Sequence, residues 1–398
     1  MPDHDTLTLY FCGSGNKRTQ IDKFLIPYLY AETQGRSEHM FDRGARAAIF
    51  DGPGGSWFLR RLKYSNIYNV LFDNSEFTER AFTEDELRKA MHVKENGKLS
   101  YFAPRNKFFD MLSGGGTVSN VVMAWAWLVL QMKRHPERYK RINIVGFSRG
   151  GHSALILPHL LQKDPRFAEN KMKVNVFAFD PVPGGKNTSM HWVNDQFRRK
   201  YKFRARFDIP EPLTLPPIVD NYFTVVQQNI IKSERQHFRP FGLSIPHIAI
   251  SKDHKFQCIV PEWQDGTHKT ARQRVIVPMP GHHSASVKMD TKYAPSFAIG
   301  RHLCETFLTE HGTVLNCNNR LTDREILAHY QDLQERCEGT VKSPAGYSST
   351  PSKHRAFVAD NLPPTGRFLN EHHLSLFDRV DWARAGRIAA PATDAGAG

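Results

Sequence analysis

The tightest constraint on the fold lies in residues 141–180, where RINIVGF, GHSALILPHLLQK and KVNVFAFD follow one another. RINIVGF and KVNVFAF are short runs rich in β-branched and aromatic residues, the composition of strands covered on both faces. Between them the apolar residues recur at helical spacing, and Pro158 is expected to interrupt the helix. Strand, helix, strand in this order predicts a right-handed parallel crossover, and so an α/β chain built on a mostly parallel central sheet flanked by helices.

The same grammar recurs along the chain. TLTLYF (6–11) runs into CGSGN, AAIF (47–50) into Asp51-Gly52-Pro53-Gly54-Gly55, and RQRVIVPMP (272–280) into GHHS. SGGGTVSNVVMAWAWLVLQMK (113–133) opens on three glycines and reads as a buried helix. Residues 186–221 break this rhythm and read as an insertion, and 304–337 read as mixed helical material. Residues 1–340 are accordingly expected to form one catalytic domain. Residues 341–398 form a C-terminal extension whose last dozen residues, IAAPATDAGAG among them, are expected to be disordered.

Ser148 sits in Gly146-Phe147-Ser148-Arg149-Gly150, which fits the G-x-S-x-G pattern of a nucleophile elbow. The chemistry needs small neighbours because the serine takes a strained backbone geometry between a strand and a helix. Five residues alone do not separate an elbow from a glycine-rich corner; the flanking strand-like and helix-like runs favour the elbow. An elbow serine also needs an acid and a histidine, in the chain order Ser, Asp/Glu, His. Asp180 ends the next strand-like run, and His282 and His283 follow the later one. Ser148, Asp180 and His283 have the required order, with Asp220, Asp253 and Asp265 as the fallback acids. Backbone N–H groups for an oxyanion are expected from Arg149, directly after the serine, and from the Gly13-Ser14 turn. GSGNKR also invites a phosphate-loop reading, but the GxxxxGK[ST] spacing is missing.

With these motifs on the page, the chain resembles a bacterial α/β-hydrolase family that includes type VI secretion phospholipase effectors. The resemblance runs through YFCGSGN (10–16), IFDGPGG (49–55), GFSRGG (146–151), AFDPVPG (178–184), QQNIIKSERQHFRP (227–240) and PMPGHHSAS (278–286). It implies an α/β-hydrolase-like fold with Ser148 as nucleophile, Asp180 as acid and His283, directly before Ser284, as base. The sequence departs from the family where Cys12 and Ala285 stand in place of aspartates and FDPV in place of WDTV. The resemblance further implies a lipid ester as substrate, with a secretion machine or an immunity protein as partners.

Charge bears on the surface that would meet such a substrate. The chain carries 54 Lys+Arg against 40 Asp+Glu, a formal +14, so phosphate-bearing partners are favoured. WVNDQFRRKYKFRARF (192–207) interleaves Arg198, Arg199, Lys200, Lys202 and Arg204 with aromatic residues. An extended strand there would present one basic and one apolar face. The plain reading is an edge strand whose charged face is solvated; an anionic lipid surface is the functional reading that suits it best, and nucleic acid is the weakest. No HExxH or close Cys/His cluster implies a metal, and no cofactor is called for. Five scattered cysteines suggest reduced thiols. The start lacks a signal-peptide pattern and the most apolar stretch, 121–130, is too short to span a bilayer. A cytoplasmic protein of a bacterium, exported if at all without a cleavable signal, is therefore expected. Rival readings are the same triad acting on a peptide or thioester, and a non-enzymatic membrane- or nucleic-acid-binding module.

Overall fold

Six parallel strands make the sheet: β1 (Thr6–Phe11), β2 (Ala47–Phe50), β3 (Arg141–Phe147), β4 (Lys173–Phe179), β5 (Val219–Gln227) and β6 (Gln273–Met279). Their order is β2-β1-β3-β4-β5-β6, and every neighbouring pair is parallel. The computed structural model describes residues 5–36, 45–53, 115–135, 137–182, 194, 209, 213–227, 273–279, 281–317 and 320–338.

Helices cover both faces. On one face lie α2 (Gly115–Arg134) and α3 (Arg149–Lys163), the latter followed by the single turn α4 (Pro165–Ala168). Their side chains join Leu7, Leu9, Ile142, Ile144, Val174 and Val176 in one apolar cluster. On the other face α1 (Leu25–Glu32), α5 (Ala294–Glu310) and α6 (Asp323–Glu338) pack against Tyr10, Val145, Phe177, Phe179 and Phe223. Residues of one strand thus alternate between the two cores, which is why these strands read as nearly continuous apolar runs. Burial of this kind contributes about 25 cal/mol per Å2 of apolar surface and is the main force holding the sheet between its helices.

One polar row crosses that apolar sheet. Thr8, Asn143, Asn175 and Asn221 occupy matched positions on adjacent strands. Asn221 Nδ2 donates to Asn175 Oδ1 at 2.8 Å, Asn175 Nδ2 to Asn143 Oδ1 at 2.8 Å, and Asn143 Nδ2 to Thr313 Oγ1 at 2.8 Å. Thr313 Oγ1 in turn meets Thr8 Oγ1 at 2.8 Å. A one-residue slip of any strand would leave these amides buried without partners, so the row fixes the register.

Three expectations are corrected. The helix α3 runs unbroken through Pro158; Leu155, Ile156, Leu157, Leu160 and Leu161 around it are all buried, and that packing outweighs the missing N–H. The proposed insertion 186–221 ends earlier than expected, because the sheet resumes at Val219 with a strand, β5, that the sequence reading did not anticipate. Asp220, a fallback acid, lies at the start of β5, at the opposite end of that strand from the Asp180 contacts, 3.5 Å from Lys173 Nζ. The remaining fallback acids, Asp253 and Asp265, lie outside the described residues, as do Arg198, Arg199, Lys200, Lys202 and Arg204 and the extension 341–398. Among the described residues no helix is long and apolar enough to cross a membrane.

Candidate active site

The strand order places the candidate site. From β1 the chain moves outward to β2, then returns past β1 to β3 and continues in the other direction through β4, β5 and β6. Connections therefore diverge between β1 and β3, which leaves a crevice at their carboxyl ends, the usual position for a ligand in a sheet of this type. Gly13 follows β1 there and Ser148 follows β3.

Ser148 turns the chain from β3 into α3 with φ 57° and ψ −122°. Holding a non-glycine residue in that conformation costs on the order of 1–3 kcal/mol, so the surroundings must enforce it. They do so with three backbone bonds: Ser148 N–H donates to Phe179 O at 3.0 Å, while Ser148 O accepts from Val182 and His152 N–H, each at 3.1 Å. The flanking glycines are required by space. A Cβ at Gly146 would stand 2.4 Å from Gly150 O, and one at Gly150 would stand 2.3 Å from Phe11 O. The elbow is thereby pressed against the end of β1, next to the Cys12-Gly13-Ser14 turn.

Asp180 follows β4 directly and also has positive φ, 40°. Its N–H donates to Val225 O at 2.7 Å, and its Oδ1 accepts from Gln227 N–H at 3.3 Å. His283 lies in the turn after β6. Its Nδ1 is 2.5 Å from Asp180 Oδ2 and its Nε2 is 2.9 Å from Ser148 Oγ. Because a carboxylate can only accept, Nδ1 carries the hydrogen, and Nε2 is left to accept the serine hydroxyl. All three residues are buried: Ser148 is 2%, Asp180 0% and His283 6% exposed. The imidazole also packs on Phe147, ring centroids 4.9 Å apart.

Of the two adjacent histidines, only His283 joins the serine and the acid. His282 turns toward Tyr293, with ring centroids 4.4 Å apart, and its Nδ1 lies 3.4 Å from Ser284 Oγ. Both positions that depart from the resembled family are apolar here. Ala285 is fully buried in the core, and burial together with nearby Asp51 pushes the Cys12 thiol well above its ordinary range. Neither residue is equipped for proton transfer at neutral pH.

The residues expected to supply oxyanion donors lie on the two turns that meet at the elbow, with the position of a Gly150 Cβ 2.5 Å from Cys12 O. Arg149 occupies the first position of α3, where the helix dipole favours negative charge. The Gly13 turn packs beside the residue before the serine, with the position of a Gly13 Cβ 2.4 Å from the Phe147 ring. Ser14 adds a buried hydroxyl that has no hydrogen-bond partner among the described residues. The Arg149 guanidinium is itself buried, which lowers its pKa to about 10. Among the described residues no group of His, Cys, Asp or Glu is gathered so as to hold a metal ion.

No protein-family model and no curated protein matches this chain.

The site also contains Gln227, which sequence reasoning did not single out. It ends β5 between Asp180 and His283; it also opens the QQNIIKSERQHFRP stretch, where nothing in the sequence sets it apart from its neighbours.

Proposed function

We propose that this chain is a serine hydrolase of the α/β-hydrolase type, cleaving a carboxylic ester through an acyl-enzyme. The hydrogen-bonded relay Asp180–His283–Ser148, at the carboxyl ends of β3, β4 and β6, is the observation behind the proposal. In the proposed reaction His283 Nε2 takes the hydroxyl proton as Ser148 Oγ attacks the acyl carbonyl. Asp180 stabilises the imidazolium and keeps Nδ1 protonated. The N–H groups of Arg149 and the Gly13-Ser14 turn receive the oxyanion. His283 then returns the proton to the leaving alkoxide, and the same base activates the water that releases the acid.

A lipid, specifically a phospholipid, is the substrate class we favour. That choice rests on the family resemblance of the six turn motifs and on the formal charge of +14, which suits an anionic surface. A secretion machine and an immunity protein belong to the same part of the proposal.

The purified protein is expected to turn over short p-nitrophenyl esters, and Ser148→Ala is expected to lower kcat by about 10^4-fold or more while the unfolding midpoint is kept. Mass spectrometry of products from mixed phospholipids would show which acyl bond is cut. A folded Ser148→Ala variant with full turnover would remove the nucleophile from the scheme.

A further inference from the structure

The acid and the base reach the site from different strands, β4 and β6, and β5 lies between them. The last residue of β5 is Gln227, 1% exposed. Its backbone N–H donates to Asp180 Oδ1 at 3.3 Å, on the carboxylate whose other oxygen meets His283. Its side-chain Nε2 donates to Ser286 Oγ, three residues beyond His283. The same strand end also holds the backbone of Asp180, through Val225 O.

The turn that bears His283 is compact around this contact. Ala285 N–H donates to His282 O at 2.8 Å, and Ser284 O accepts from Val287 and Lys288 N–H at 3.1 and 2.9 Å. Gly281 enters the turn at φ 116°, and a Cβ there would stand 2.6 Å from the Ala285 methyl and 3.3 Å from Gln227 Oε1. Ser286 is 1% exposed against α5, where a Cβ at Gly300 would touch its carbonyl and its side chain. Gln227 bonds both to Asp180 and, through Ser286, to the turn that bears His283.

We infer that Gln227 is a positioning residue, which sets the Asp180 carboxylate and the His283 turn relative to each other and so holds the relay in register with Ser148. The inference rests on the proposed hydrolase reading for its kinetic consequences, though not for its geometry. The backbone donor fixes the carboxylate, and the amide side chain fixes the turn. A shift of even 1 Å at the imidazole would break the alignment on which proton transfer depends.

Three variants of the full chain test it: Gln227→Leu, which removes the amide; Ser286→Ala, which removes its partner with minimal change of volume; and Gln227→Glu, which keeps the shape. The readouts are kcat and KM on p-nitrophenyl butyrate, the pH profile of kcat/KM, and the downfield Nδ1 proton resonance of His283. Gln227→Leu and Ser286→Ala are each expected to lower kcat about 10- to 100-fold, with KM changed less than about twofold. The double variant is expected to be little worse than the more damaged single one, because both remove one contact. Gln227→Glu is expected to retain most of kcat at high pH while shifting the acid limb upward, since a second carboxylate beside Asp180 favours the imidazolium. In Gln227→Leu and Ser286→Ala the Nδ1 resonance should move or broaden.

Folded Gln227→Leu and Ser286→Ala proteins with kcat within twofold of wild type and an unmoved resonance would overturn the inference; losses confined to KM would do the same. If Gln227→Leu does not fold, Ser286→Ala decides by the same readouts. A wild-type protein that shows the Nδ1 resonance and its response to these variants, but fails to react at Ser148, leaves the inference standing and removes the hydrolase reading alone. Absence of the resonance in wild type removes both.

Discussion

Ser148 and Asp180 are two of only three described non-glycine residues with positive φ, the third being Lys171 on the surface. Strain at two relay positions suggests that stability is traded there for geometry. Ser148→Gly is accordingly expected to abolish ester turnover while raising stability by about 1 kcal/mol, as read by urea unfolding. Asp180→Asn should keep the fold but lose the tautomer that Asp180 enforces, lowering kcat by about 10^4-fold at nearly constant KM. An Asn variant with an ordinary rate would mean that the carboxylate plays no part in proton transfer. At this scale the sequence was informative because each relay residue ends a strand-like run and stands beside a turn. Gln227 opens the QQNIIKSERQHFRP stretch without standing out in it, because its contacts to Asp180 and Ser286 come from what two distant parts of the chain bring to it.

The elements were legible where one periodicity dominated. RINIVGF and KVNVFAF are apolar on both faces because α2, α3 and α5 cover them, and such runs have few other readings. VDNYFTVVQ was missed because Asp220, Asn221 and Thr224 dilute its apolar pattern. The structure explains at least two of those residues: Asn221 belongs to the amide row and Thr224 Oγ1 donates to Ala178 O at 2.9 Å. Asn175→Val would leave Asn143 Oδ1 and Asn221 Nδ2 without their present partner. A loss of about 1–3 kcal/mol is expected, measured as a lower urea midpoint with an unchanged m-value. A neutral effect would show that the row is dispensable for register. Proline was over-read in the same region: Pro158 removes one donor, but a helix buried along its length retains enough packing to continue.

For the whole molecule, the sheet order converts local turns into one site. The divergence between β1 and β3 brings the Gly13 turn beside the elbow, and the strand ends of β4 and, beyond β5, β6 add Asp180 and His283. None of this could be read from any single motif, since spatial order differs from chain order. The face that carries α3 is also expected to make stability depend on pH. Burial lowers the pKa of His152 to about 3 and that of His159 to about 4, the latter ring lying 2.8 Å from Thr214 O. Unfolded, both would titrate at about 6.5. The unfolded chain therefore binds more protons than the native one below that pH. The stability contributed by keeping these rings neutral is present above about 6.5 and is lost as pH falls toward 4 and 3. By pH about 4.5 the loss should reach about 2–3 kcal/mol per histidine. Urea unfolding at pH 7 and 4.5 would show it, and His152→Leu should flatten the slope without destabilising the protein at pH 7, because both ring nitrogens lack partners among the described residues. An equal slope in the variant would assign the acid sensitivity to other groups.

The central claim is that Ser148 is a nucleophile made reactive by His283 and Asp180. Intact-mass and peptide analysis after treatment with a fluorophosphonate probe tests it most directly. One adduct on Ser148 is expected, formed quickly in the wild-type protein and slowed by orders of magnitude in His283→Ala. A folded wild-type protein that remains unlabelled, or one labelled equally well without His283, would contradict the claim.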